Sequence, residues 1–534
     1  MSTTRRRTAL STVVVTVLGV VALPLTPSRA EAELPAAFAG CETAEQDITV
    51  GEVSCRTLDA TATLGGTTGY SYFVPDACDN AAATCPTIYL LHGFGGDHRS
   101  MLGTGVNPSA FVSALTHRPR RDPATVSDPW VDADPAGWTE TDWIDAVLIS
   151  PHGRTLEGGF GPAAGIDTFW TDWNPRYSGG GDQQKYDTPP PRDETFLIDV
   201  LIPHVESTFG VGVGREHRAL TGISLGGYGT FALGLRHPDL WSAVDSISGA
   251  HNFLFAPGLD PVSAQALVAV PVSPPLDVDP VHLPGAGPSV PIASLPEQMQ
   301  GFAAALFAFG DPVADQAYFR GRMPRDLAMN ARGWSGDGTQ SLTVRSIVND
   351  AIPRRADDVT DFPGYVVSQA FEDIVLEMNL TQQVAFTTQD IDQSFEIHPG
   401  IHSGPYWNPW LRGELERLYA RLVHAADDLG EAVPAAATFD FRSSDAEFSV
   451  WGWNVSVDRP TAEFLELRDV SCDSFTVRGT GVVTVTVPAG CATGVDGSNE
   501  VTRNLGPSAP IDEPAGVGAL PLVGQAVTVD LQPI

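Results

Sequence analysis

Apolar and polar positions follow two different rhythms along this chain. Between about residues 87 and 237, short apolar runs alternate with stretches of helical spacing. Residues 87–91 form one such run, ending at His92-Gly93; residues 146–150 form another, ending at Pro151-His152-Gly153. Residues 194–209 show helical periodicity, with Phe196, Leu197, Val200, Leu201 and Val205 on one face. A third run at 218–222 leads through a tight turn into a helix over 226–236. The rhythm resumes with strands at 342–348 and 394–397 and a last helix from about 407 to 429. Strands alternating with helices predict an α/β architecture, a mainly parallel sheet covered on both faces, with functional loops at the strands' carboxyl ends.

Two segments break this rhythm. Residues 255–295 are rich in Pro, Val, Ala and Leu with almost no charge, so proline blocks a regular helix there; an insertion over the sheet is expected. After Val433 the helical segments stop. Runs at 448–457 and 475–487 alternate β-branched with small or polar residues, which predicts a C-terminal all-β, sandwich-like domain over 434–534.

Composition narrows the partners. With 31 Lys and Arg against 65 Asp and Glu, the 534-residue chain has a formal net charge of −34. Its single lysine is Lys185, and its arginines are scattered. Nucleic-acid binding, which needs clustered basic residues, is therefore not expected. Arg5-Arg6-Arg7, an apolar run too short to span a bilayer and small residues near Ala30 predict a signal peptide over 1–30 and a secreted protein, with the Sec or twin-arginine route left open. Residues 31–433 then form the main domain. The six cysteines fall as near neighbours, Cys41 with Cys55, Cys78 with Cys85, and Cys472 with Cys491. In an oxidising compartment these are expected as disulfides. No spacing calls for a metal or an organic cofactor.

The chemistry concentrates at Gly222-Ile223-Ser224-Leu225-Gly226. The bare G-x-S-x-G pattern is weak, but here a strand precedes it and a helix follows. That context fits a strained turn that lifts a nucleophilic hydroxyl above the sheet. A serine nucleophile requires an oxyanion hole; the backbone N–H of Leu225 is one candidate donor, and Phe94, in the glycine-rich loop His92-Gly93-Phe94-Gly95-Gly96, supplies the other. In such a sheet the order along the chain is serine, then acid, then base, and the candidate bases are His282, His398, His402 and His424. His402, in the loop after the 394–397 strand, is favoured, with His398 as the alternative. The acid is expected in the loop after 342–348: Asp357 first, then Asp358 and Asp350.

Taken together, residues 88–96, Phe169-Trp170-Thr171-Asp172-Trp173, Glu194-Thr195-Phe196-Leu197, the Ser224 turn, His237-Pro238 and His402-Ser403-Gly404-Pro405-Tyr406-Trp407 resemble the secreted esterase family that includes esterase D-like enzymes and mycolyltransferases. The resemblance covers about residues 60–425. It implies an α/β-hydrolase fold, a Ser-acid-His triad and acyl-ester chemistry, with Ser224 and His402 at the nucleophile and base positions and Phe94 and Leu225 at the oxyanion donors. The mycolyltransferases have an Asp-Gly where this chain has His92-Gly93, and a tryptophan where it has Gly404; both departures point to an ordinary carboxylesterase. The expected function is a secreted serine esterase acting on an ester or acyl-lipid substrate. Two alternatives stand beside it: acyl transfer to a cell-envelope sugar or lipid, and a noncatalytic envelope-binding protein. Trp170, Trp173, Tyr406 and Trp407 are read either as an acyl site or as core. Oligomeric state is not legible.

Overall fold

The short apolar runs pair edge to edge in one eight-stranded sheet among the described residues. The computed structural model describes residues 38, 40–43, 46–79, 85–102, 144–155, 167–175, 190–253, 308–310, 315–335, 340–353, 362–427, 436–459, 463–491, 499–506 and 525–531. The expected signal peptide over 1–30 and the Pro-rich insertion over 255–295 lie outside them.

The sheet contains β1 (Val53–Asp59), β2 (Thr67–Phe73), β3 (Thr87–Leu91), β4 (Val147–Pro151), β5 (Arg218–Ile223), β6 (Ala243–Ile247), β8 (Thr343–Asn349) and β9 (Gln393–His398). A two-residue strand, β7 (Gly333–Trp334), belongs elsewhere. The order is β1-β2-β4-β3-β5-β6-β8-β9. The β1/β2 and β2/β4 pairs are antiparallel; from β4 onward all pairs are parallel. Strands buried on both faces read as continuous apolar runs rather than alternating ones, and β3, β4 and β5 are buried at every position. This is an α/β-hydrolase fold.

Its principal helices are α1 (Ile202–Phe209), α2 (Leu225–Arg236), α3 (Phe362–Thr388) and α4 (Gly404–Asp427). Leu411, Leu415, Leu418 and Leu422 of α4 pack on Ile88, Leu90, Ala219 and Ile247 of the sheet. The helix expected over 194–209 departs from regular spacing. Phe196–Leu201 is a π-helical turn, whose wider winding shifts the buried stripe to Phe196, Leu197, Leu201, Ile202 and Val205 and leaves Val200 only half-buried.

Strand β6 escaped the apolar-run reading because Asp245 interrupts it. That carboxyl is buried, and burial together with the neighbouring Glu414 carboxylate pushes it well above the usual carboxylate range. Arg345 of β8 donates to Glu414 through Nε (2.6 Å), which completes the cluster.

The chain then builds β10 (Thr438–Ser443), β11 (Glu447–Val450), β12 (Trp453–Asp458), β13 (Leu465–Val470), β14 (Ser474–Gly479), β15 (Val482–Thr486), β16 (Glu500–Asn504) and β17 (Gln525–Asp530). They form two sheets, β17-β14-β13-β10-β7 and β11-β12-β15-β16. Phe439, Phe441, Trp453, Phe475 and the inward valines share one core. Each of the two expected strand runs proves to be a pair of strands. The first turns back at Trp451-Gly452, where both φ angles are positive (51° and 81°). The second breaks at Thr480-Gly481, with β14 in one sheet and β15 in the other. Disulfides join Cys41 to Cys55, Cys78 to Cys85 and Cys472 to Cys491.

The all-β region is fastened to the hydrolase part. Strand β7 pairs with β10 through Phe439↔Gly333 and Thr438↔Trp334. Asp445 accepts from Arg236 (2.8 Å) and Arg322 (3.1 Å). The Trp451 N–H donates to Asp239 (3.0 Å), and the Arg215 guanidinium lies 5.0 Å from the centre of the Trp451 ring.

Candidate active site

Parallel strands deliver their loops to one edge of the sheet, at the strands' carboxyl ends. Gly93 to Gly96 follow β3, Ser224 follows β5, Ser248 follows β6, Asn349 and Asp350 close β8, and His402 follows β9.

Ser224 sits between β5 and α2 with φ 57° and ψ −115°, a conformation that L residues rarely adopt. The surrounding hydrogen bonds impose it. Ser224 N–H donates to the Ile247 carbonyl (2.9 Å), and the Ser224 carbonyl accepts from Tyr228 N–H (3.0 Å). Close approach explains the neighbouring glycine, since a Cβ on Gly226 would lie 2.0 Å from the Leu91 carbonyl oxygen.

The hydroxyl meets an imidazole: Ser224 Oγ lies 2.8 Å from His402 Nε2. On the other side of the ring, His402 Nδ1 lies 2.5 Å from Glu372 Oε2. The Phe371 ring tilts over His402 at 5.8 Å, and Trp407 meets it edge-on at 4.6 Å. The alternative base, His398, instead stacks on Trp410 at 3.8 Å and binds Glu396.

The carboxylate on His402 comes from α3, not from the loop after β8. Asp357 and Asp358 lie outside the described residues. Asp350 is occupied elsewhere, with Oδ1 accepting from Ile352 N–H (2.9 Å) and Gly400 N–H (3.1 Å). Glu372 is fully buried, and its second oxygen, Oε1, accepts from Asn349 N–H (2.8 Å) and Ser248 Oγ (2.7 Å). A buried carboxylate needs such donors to remain tolerable. On the α3 face formed by Glu372, Val375, Asn379, Gln382 and Phe386, every member is buried, and a glutamate on a core-facing stripe demands a partner.

The glycine-rich loop lies against the nucleophile, since a Cβ on Gly93 would stand 3.3 Å from Ser224 Cβ. Residues not anticipated hold it in place. Asp167 accepts from Gly95 N–H (3.1 Å), Arg154 donates to the Gly95 carbonyl (2.9 Å), and His92 Nε2–H donates to the His152 carbonyl (2.7 Å). Phe94 itself is exposed, whereas Leu225 is buried at the start of α2. Of the four aromatics singled out, Trp170, Trp173 and Tyr406 are core; Trp407 alone borders the imidazole.

Comparison with known proteins adds the following. Residues 161–284, which include the Ser224 turn, match the esterase family model described as "Putative esterase". Among solved structures, a ferulic acid esterase aligns over 69% of this chain and 98% of its own, at 16% identity and TM-score 0.38. An S-formylglutathione hydrolase from Agrobacterium tumefaciens aligns over 71% and 99%, at 13% identity and TM-score 0.41. MPT51 from Mycobacterium tuberculosis aligns over 68% and 97%, at 16% identity and TM-score 0.39.

Proposed function

We propose that this protein is a secreted serine carboxylesterase working through Ser224, His402 and Glu372. The observation that carries the reading is the continuous line Ser224 Oγ, His402 Nε2, His402 Nδ1, Glu372 Oε2, with contacts of 2.8 and 2.5 Å. Nucleophile, base and orienting carboxylate within hydrogen-bond reach of one another are what acyl transfer from an ester requires. The match of residues 161–284 to the esterase family model supports the same class.

In this mechanism His402 Nε2 takes the hydroxyl proton as Ser224 Oγ bonds to the ester carbonyl carbon. The carbonyl oxygen becomes an oxyanion, received by the N–H groups of Leu225 and Phe94. Collapse of the adduct breaks the bond to the alcohol oxygen, which leaves with the proton held on His402. Water then repeats the sequence on the acyl-enzyme, releasing the acid and restoring the serine. Glu372 keeps Nδ1 protonated, so Nε2 is the basic nitrogen, and it stabilises the imidazolium that forms. Loss of one oxyanion donor typically costs ~10²–10³ in rate. The three disulfides support an exported location.

The test is labelling with a fluorophosphonate probe, together with hydrolysis of esters of graded acyl length. Wild-type protein should label and turn over, and Ser224→Ala should do neither. A Ser224→Ala variant that keeps its turnover would overturn the proposal. Product analysis with and without an alcohol acceptor separates hydrolysis from acyl transfer.

A further inference from the structure

We infer that Ser248 and Trp407 are positioning residues that hold the Glu372–His402 pair, extending the triad into a five-membered hydrogen-bonded chain. The inference rests on the esterase reading above and adds residues that the reading does not need.

The donors and acceptors run in one direction. Trp407 Nε1–H donates to Ser248 Oγ (3.1 Å), and Ser248 O–H donates to Glu372 Oε1 (2.7 Å). His402 Nδ1–H donates to Glu372 Oε2, and Ser224 O–H donates to His402 Nε2. An indole can only donate, and a hydroxyl has a single proton to give. With Trp407 on its lone pair, the Ser248 hydroxyl therefore directs its proton to the carboxylate. Trp407 also meets the His402 ring edge-on, so one side chain braces the base by packing and the acid through a relay.

The backbone supports a dedicated role. Ser248 has φ 46°, an unfavourable conformation for a non-glycine residue, and its N–H is held by the Ile347 carbonyl (2.7 Å). Ser248 is fully buried at the end of β6. Turned this way, its hydroxyl reaches both Glu372 on α3 and Trp407 at the start of α4.

The consequence is electrostatic as well as steric. Glu372 shares its charge among Ser248, Asn349 N–H and His402, with Asp350 nearby but engaged with Gly400 and Ile352. Removing the Ser248 donor concentrates that charge toward His402 and favours its protonated form. The geometry of the pair also loosens.

The test is steady-state kinetics of Ser248→Ala across pH, with Trp407→Phe as a second variant that keeps a ring but lacks the N–H. Ser248→Ala should lose roughly 10- to 100-fold in kcat, the scale of a hydrogen bond to a charged group, with KM within about twofold. The acid limb of its kcat/KM profile should move to higher pH, a shift that mere loss of stability does not produce. Trp407→Phe should move kcat and the limb in the same directions by smaller amounts. Should Ser248→Ala fail to fold, Trp407→Phe decides alone. Wild-type kcat with an unmoved limb in a folded variant overturns the inference while Ser224→Ala stays dead. If Ser224→Ala keeps its activity, the esterase reading itself has failed.

Discussion

Glu372 stands out among the individual side chains because its surroundings leave it only one orientation. Buried and bonded through both oxygens, it faces the imidazole from a helix rather than from a flexible loop. Glu372→Gln should fold, because an amide of the same shape fills the space, but it lets the imidazole settle in the wrong tautomer. A fall in kcat of about 10³- to 10⁴-fold is expected, read by ester hydrolysis beside a denaturation curve. By contrast, Asp350→Asn should stay within about tenfold of wild type, since that residue serves Gly400 and Ile352 backbone groups rather than the ring. Equal losses in the two variants would return the acid to the loop after β8. The Ser224–His402 juxtaposition was legible in the sequence because both lie next to short strands with local glycine signals. The partner of His402 was not, because 23 positions separate Asn349 from Glu372 and only the path of α3 brings them together.

Among the elements, the turn from β5 into α2 is the most constrained. A methyl group at Gly226 would collide with the Leu91 carbonyl, and neither backbone can yield without separating β3 from β5. Gly226→Ala should therefore cost about 3 kcal/mol or more, measured by chemical denaturation, and should reduce activity with it. A variant as stable as wild type would mean that β3 and α2 sit further apart than described. The central strands were readable as apolar runs because both of their faces are covered. β6 and the π-helical turn at Phe196–Leu201 were not. Asp245 disguises the first, and an extra residue in the helical turn rotates the second, so tertiary pairing overrides the local pattern in both cases. The two strand pairs, β11 with β12 and β14 with β15, read as single strands because Trp451 and Thr480 resemble strand residues, whereas the breaks depend on Gly452 and Gly481 beside them.

At the scale of the whole molecule, a charge cluster ties the hydrolase part to the all-β region. Burial works to raise Glu194, but Arg236, His237 and Arg322 outweigh it and hold the carboxyl down at about 2. Asp445 is likewise held low by Arg236 and Arg322 against the effect of burial. Carboxylates depressed in the folded state contribute stability above their unfolded values near 4, and lose it as pH falls toward the folded ones. Asp445→Asn should cost about 2–3 kcal/mol at pH 7, a buried-pair effect discounted for partial exposure. The gap from wild type should close as denaturation is repeated at pH values falling below ~4. A gap that stays constant with pH would mean that the Asp445 charge is not what fastens the two parts.

The shortest strand among the described residues has a large implication. Because β7 is borrowed from the middle of the chain to edge a sheet made from its end, the last hundred residues are not a portable cassette. Expressed alone they would present a raw strand edge, inviting self-association, and grafting them onto another enzyme would require carrying Gly333-Trp334 along.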